Sequence, residues 1–101
     1  MLEKEIENKI LEYLSTLPDC FAWKCNNFGA YSRFRKANSK HIINGVADIL
    51  GIYKGRFLAI EVKTKTGKTS TEQDQFLENI RIQGGISFVA RSLEEVKEYL
   101  E

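Results

Sequence analysis

Two short apolar runs joined by a turn constrain this chain more than any other feature. The first is Gly45-Val46-Ala47-Asp48-Ile49-Leu50, which reads as a strand with an acid inside its apolar stretch. The second, Leu58-Ala59-Ile60-Glu61-Val62-Lys63, alternates: Leu58, Ile60 and Val62 point one way, Ala59, Glu61 and Lys63 the other. Between them, Tyr53-Lys54-Gly55-Arg56 supplies a glycine free to take φ > 0, so a hairpin is the natural connection. Pairing the two strands brings Asp48 toward Glu61, with Lys63 two residues on and on the same face.

The charge is distributed unevenly. The net charge is only +1, yet residues 20–47 hold no Asp or Glu, while Lys24, Arg33, Arg35, Lys36 and Lys40 give +5. Glu3, Glu5, Glu7 and Glu12 near the start, and Glu94, Glu95, Glu98 and Glu101 near the end, compensate. Within the basic segment, Asn26-Asn27-Phe28-Gly29 reads as a turn, and residues 30–45 show neither helical nor strand period. A loop of that length in a small domain is usually functional or disordered. Its cations are interleaved with Tyr31 and Phe34, a mixture that suits phosphates and exposed bases. The expected DNA contacts are Lys24, Asn26, Arg33, Arg35, Lys36, Lys40 and His41, joined by Lys65 and Lys68 from the turn after the second strand. A merely solvated loop would not account for the missing acids.

The remaining chain reads as alternating helices and strands. Leu2, Ile6, Ile10, Tyr13, Leu14 and Leu17 form a helical stripe over residues 2–17, stopped by Pro18. Glu3 and Glu7 border that stripe, where a glutamate is either a solvated flank or a group looking into a site at the sheet edge. Phe21, Trp23 and Cys25 alternate with polar or small neighbours as a first strand. After the second run, Thr69 with Glu72 or Ser70 with Gln73 can form a capping box, so a helix starts there, burying Leu77, Ile80 and Phe76 and ending at Gly84-Gly85. Gln73 shares the inward face of its first turn, so it serves either the cap or a site beside the strand ends. Ile86-Ser87-Phe88-Val89-Ala90 is a last strand, and Ser92-Leu93-Glu94-Glu95 opens a final helix.

Several function classes lose support. At 101 residues the chain is one domain, 1–101, with a modest core. No apolar run approaches the ~20 residues of a membrane span and the start is acidic, so a cytoplasmic protein with no membrane partner is expected. Cys20 and Cys25 are five apart, on opposite faces if both lie on one strand, and are expected as two free buried thiols. His41 is the only histidine, more often a phosphate or backbone contact than a metal ligand, and a Ser-His-Asp triad has little support. Gly84-Gly85 follows a helix rather than opening one, which argues against a phosphate loop and a nucleotide cofactor.

What remains is phosphodiester chemistry. Hydrolysis of a phosphodiester needs a positioned water and neutralisation of charge on the phosphate, which Mg²⁺ supplies when a few carboxylates hold it and leave positions open. Asp48 and Glu61 are the expected ligands, with the Val62 backbone carbonyl completing the set. Lys63 would orient or deprotonate the water, or offset phosphate charge. Glu7 would add an outer carboxylate or help hold a second ion, and Gln73 would brace Lys63 or the water. The plainer alternative is that Glu61 and Lys63 are an exposed pair on an amphipathic strand. Against it stands the conjunction of an acid in an apolar run, the Glu-x-Lys spacing across a hairpin, and the acid-free basic segment ahead of both.

At these residues the chain resembles a known family. Gly45-Val46-Ala47-Asp48, then Gly55 through Lys63 with its Glu61-Val62-Lys63, is similar to the PD-(D/E)xK nuclease superfamily, and more narrowly to the VRR-NUC domain. Gly67-Lys68-Thr69-Ser70-Thr71-Glu72-Gln73 before a helix, Gly84-Gly85 and Ser92-Leu93-Glu94-Glu95-Val96 fit the same pattern. The resemblance implies an α/β, restriction-endonuclease-like αβββαβ core with a central mixed sheet flanked by helices, plus a C-terminal helix. It implies Mg²⁺ dependence, with Mn²⁺ as substitute, and DNA cleavage by Asp48, Glu61, Lys63 and Gln73, with Glu7 rather than Glu3 as the first-helix glutamate. The short stand-alone form resembles the phage and bacterial branch, which suggests a homodimer acting on branched duplex DNA of the Holliday-junction type. Three other readings compete: a DNA-binding module on a nuclease fold that does not cut, a nuclease that acts on RNA or is directed to its target by a partner protein, and an interaction protein whose acidic end helices bind a partner, which leaves Asp48, Glu61 and Lys63 unexplained.

Overall fold

The computed structural model describes residues 1–25 and 42–101. Over these the order is α1 (Glu3–Ser15), β1 (Cys20–Lys24), β2 (Ile49–Tyr53), β3 (Arg56–Val62), α2 (Thr71–Ile82), β4 (Ile86–Ala90) and α3 (Leu93–Leu100). The strands form one mixed sheet in the order β1-β2-β3-β4, antiparallel except for the parallel pair β3 and β4. This is the expected α/β arrangement, a mixed sheet flanked by helices with a C-terminal helix added. The parallel pair requires a crossover, and α2 supplies it.

The central hairpin closes through two residues in left-handed backbone, Lys54 (φ 50°) and Gly55 (φ 80°). Both central residues of such a tight turn need φ > 0, because that twist matches the flanking strands. Gly55 takes it without penalty. Lys54 takes it while its N–H donates to the Asp19 carbonyl (2.8 Å) and its ammonium sits 5.3 Å from the Tyr53 ring centre.

Strand β3 is buried on both faces. Leu58, Ile60 and Val62 join Ile49, Ile6, Ile10, Leu14, Phe88, Val96 and Leu100 in the larger core, on the side of α1 and α3. Ala59 lies in a smaller cluster with Ala47 and Leu77, flanked by Leu50, Phe76, Ile80 and Val89, on the side of α2. By the period of two, Glu61 and Lys63 follow Ala59 onto the α2 side. The alternation therefore marks two different buried faces rather than one dry and one wet.

Several boundaries move. The first run does not form a strand throughout: β2 starts at Ile49, and Gly45 through Asp48 approach it as irregular chain. The first strand starts at Cys20 and ends at Lys24. Leu2 precedes the helix and is exposed, while Tyr13 and Leu17 pack at the border of the core. Cys20 and Cys25 form no disulfide but are half-buried rather than buried. Asn26, Arg33, Arg35, Lys36, Lys40, His41 and the turn at 26–29 lie outside the described residues. Among the described residues no helix is long and apolar enough to cross a membrane.

Candidate active site

Asp48 terminates the β2–β3 ladder with its side chain. Continuing the pairing of Ile49 with Ile60 sets Asp48 opposite Glu61, and the Asp48 Oδ2 accepts the Val62 N–H at 2.9 Å. Its carbonyl accepts the Cys25 N–H at 2.7 Å, which ties the same residue to the end of β1. Asp48 is thus tied on both sides, its carboxylate to β3 and its backbone carbonyl to the residue after β1.

Gly45 explains how the approach to Asp48 fits under α2. Its φ is +77°, and a Cβ there would stand 2.4–2.6 Å from the Glu72 C and O and the Gln73 N. Such distances are below any real contact, so only glycine lets the chain lie on the first turn of α2. Ala47, fully buried beneath α2, continues that close approach. This packing brings Asp48 and Gln73 to one place.

Glu61 is the centre of the arrangement and is only 2% exposed. Its Oε2 accepts from Gln73 Nε2 at 3.0 Å and lies 3.6 Å from Lys63 Nζ, an ion pair longer than a hydrogen bond. Its Oε1 is buried without a hydrogen-bond partner. Burial, then the charge of the adjacent Asp48, pushes the Glu61 carboxyl up to about 8, with Lys63 partly opposing them. Two carboxylates held this close in a dry setting do not both ionise cheaply unless a cation joins them.

Gln73 fills both roles that its position allows. Its Oε1 accepts the Ser70 N–H (2.9 Å) and its own N–H donates to Ser70 Oγ (3.1 Å), a reciprocal cap for α2. The alternative cap at Thr69 does not form, since that hydroxyl donates to Asp74 Oδ1 at 2.6 Å. With its oxygen turned to the cap, Gln73 presents its Nε2 donors to the site. The expectation that Gln73 braces Lys63 or the water gives way to a hydrogen bond on the Glu61 carboxylate, which Lys63 also faces.

Glu7 reaches the same end of the sheet from the α1 side. It is buried, whereas Glu3 is exposed. Its Oε1 has no hydrogen bond and lies 3.7 Å from Lys24 Nζ. Burial raises its pKa, the Lys24 charge lowers it in part, and the nearby Asp48 charge raises it further. Lys24, offered by sequence as a DNA contact, is exposed but already faces this carboxylate. Lys65 and Lys68 are exposed on the turn beyond β3.

A hard divalent cation fits these donors. Among the described residues no three His, Cys, Asp or Glu side chains gather closely enough to hold a metal ion together. Two carboxylates with one bare oxygen suit Mg²⁺, which commonly keeps several waters and takes one or two protein carboxylates. Val62 presents its N–H to Asp48, and in an extended strand the carbonyl of a residue projects to the same edge, so Val62 O faces that side as well. Gly45 is the residue whose role sequence reasoning missed; its signal was a glycine three positions ahead of the acid, legible only once α2 is known to pack there.

The family model of the VRR-NUC domain matches residues 3–94. Among solved structures the chain is similar to a VRR_NUC domain protein at 16% identity, with a TM-score of 0.71 over 97% of this chain and 84% of that one. At that identity the likeness speaks for the fold alone. No curated protein matches. The family match over most of the chain, on a fold that carries the paired carboxylates and lysine at one sheet end, places this chain in the VRR-NUC family of nuclease-type domains.

Proposed function

We propose that this VRR-NUC domain is a Mg²⁺-dependent DNA endonuclease, selective for branched duplexes of the four-way-junction type and acting as a homodimer. The observation that carries the reading is Glu61: buried, with a bare Oε1, beside Asp48 and 3.6 Å from the Lys63 amine. A buried carboxyl so arranged is a burden to the fold unless a cation uses it. Asp48, Glu61 and the Val62 carbonyl would hold Mg²⁺, or Mn²⁺ in its place, with Glu7 as an outer carboxylate. The ion supplies positive charge against the scissile phosphate and readies a water for attack.

The chain's own residues do the rest. Gln73 locks the Glu61 carboxylate in one orientation through the α2 cap, so the donor set is preorganised. Lys63 holds the attacking water in line with phosphorus and offsets charge building on the phosphate. The water oxygen bonds to phosphorus and the bond to one sugar oxygen breaks, leaving a phosphate monoester and a hydroxyl. Lys65 and Lys68, with the cations of the basic segment, would grip the backbone on either side.

The homodimer draws support from an uncovered part of the sheet. Phe21, Trp23, Ile52 and Phe57 lie on the α2 face but are exposed, with the Phe21 and Trp23 rings 5.5 Å apart. A contiguous apolar patch of this kind marks an interaction surface. Paired incision of a symmetric junction also calls for two active sites.

The test is cleavage of matched single strand, linear duplex, flap, fork and four-way-junction substrates with Mg²⁺, Mn²⁺ or EDTA. Metal-dependent, paired cuts in the junction are expected. Preference for linear duplex or single strand would overturn the substrate assignment, and tight binding without cutting in any metal would leave the DNA-binding module instead.

A further inference from the structure

Beyond the carboxylates and Lys63, one more side chain is built into the position of the lysine. Arg91 follows the last residue of β4, and its Nη1 donates to the carbonyls of Thr64 and Gly67 at 2.6 Å each, with Lys65 O at 3.4 Å. All three acceptors belong to the turn that begins immediately after Lys63. Next to Arg91, the Ala90 carbonyl accepts the Lys63 N–H at 3.0 Å. The end of β4 therefore holds both the strand that carries the lysine and the turn that follows it. The Arg91 N–H donates to Glu95 Oε1 at 2.7 Å, which fixes the arginine backbone to α3.

The turn in its place runs alongside the lysine stem. Gly67 stands about one carbon away from it: a Cβ built there would come into ordinary contact with Lys63 Cδ at 3.5 Å and stand 3.2 Å from Thr64 Oγ1. The Gly67 N–H also donates to the Thr64 carbonyl at 3.2 Å, so the turn closes on itself around the arginine. Lysine has a flexible four-carbon stem and loses rotamer freedom only where neighbours restrict it. Here the neighbour is the turn, and the turn is held by charge-assisted hydrogen bonds from Arg91.

We infer that Arg91 is a positioning residue for Lys63, clamping residues 64–67 against the lysine stem so that Nζ stays beside Glu61. The inference rests on the nuclease reading for its effect on rate, but not for its effect on placement. A misplacement on the order of 1 Å in a reacting group lowers turnover by up to about 100-fold.

The experiment compares wild type with Arg91→Ala and Arg91→Lys in two readouts. Steady-state cleavage should show kcat about 10- to 100-fold lower in Arg91→Ala, with the Mg²⁺-induced rise in Tm unchanged and partial recovery of kcat on adding methylguanidinium; KM for DNA should rise as well, because the loosened turn carries Lys65. Arg91→Lys should recover less than the wild-type rate, since all three carbonyls are reached from Nη1 and the lysine ammonium ends one bond short of that atom. Separately, the ε-methylene NMR signal of Lys63, assigned by its loss in Lys63→Arg, should move in Arg91→Ala to the position of solvent-exposed lysines. A kcat within twofold of wild type in an active enzyme overturns the inference and leaves the nuclease reading intact. A wild type that cuts nothing overturns the nuclease reading, and an unmoved Lys63 signal then overturns the placement as well.

Discussion

Replacing Glu61 with glutamine should make the metal-free protein more stable while abolishing its activity. Glu61 is buried, and its carboxyl is pushed up to about 8 from an ordinary 4.5. The folded form therefore binds a proton that the unfolded chain has released, throughout that interval. Because the native state holds more protons there, stability falls as pH rises from about 4.5 toward about 8 and is level beyond. At pH 7 about two and a half pH units of this window have been crossed, a loss on the order of 3 kcal/mol at ~1.4 kcal/mol per unit. Glu61→Gln removes the titration but keeps an oxygen for Gln73 Nε2 and adds donors toward Asp48. Thermal melts in EDTA at pH 5, 6, 7 and 8 should show wild type losing Tm across the series and the variant declining less. At pH 7 the variant should melt higher by at least ~5 °C, as a domain of this size shifts about 4–8 °C per kcal/mol. Added Mg²⁺ should raise the wild-type Tm, by about 2.7 kcal/mol of stability at a hundred times Kd, and leave the variant unmoved. Parallel pH curves for the two proteins in EDTA would refute the reasoning.

Three further substitutions probe the supports of the site. Gly45→Ala places a methyl within 2.6 Å of the α2 backbone at a positive φ, so chemical denaturation should show a loss of more than about 2 kcal/mol, with metal affinity falling too. Gln73→Ala removes half of the α2 capping box and the hydrogen bond to Glu61; a loss of about 1–2 kcal/mol by denaturation is expected, with a weaker Mg²⁺ response by calorimetry. Glu7→Gln takes a raised, buried carboxyl out of the site, so its melts in EDTA should lose less stability than wild type above pH 5, while cleavage slows without loss of DNA binding.

Local signals in the chain carried much of this architecture. The hairpin was legible because Gly55 between two alternating apolar runs permits few other geometries. The α2 start was legible as a capping box, though two overlapped and only packing chose Ser70 with Gln73 over Thr69 with Glu72. The proximity of Asp48 and Glu61 followed from strand pairing alone. What sequence did not reveal were long-range approaches: Gly45 against the first turn of α2, and Arg91 reaching back to a turn more than twenty residues earlier. A pattern of period two also does not say whether the second face meets water or a helix, which is why Glu61 could be read as exposed until α2 was seen to cover it. The Gln73 partner is not legible in sequence because the cap fixes which way the amide turns, oxygen to Ser70 and NH2 to Glu61, an orientation visible only with the hydrogen bonds in place.

The most direct test of the central claim is incision of a labelled four-way junction by wild type, Asp48→Ala and Lys63→Ala, with DNA binding measured in parallel. The account predicts Mg²⁺-dependent cutting by wild type that EDTA stops, at least a thousandfold loss in both variants by the order of magnitude of removed electrostatic and general-base groups, and junction affinity within a few-fold of wild type. Cutting that survives in either variant, or that proceeds unchanged in EDTA, would contradict the assignment of Asp48, Glu61 and Lys63 as the catalytic centre.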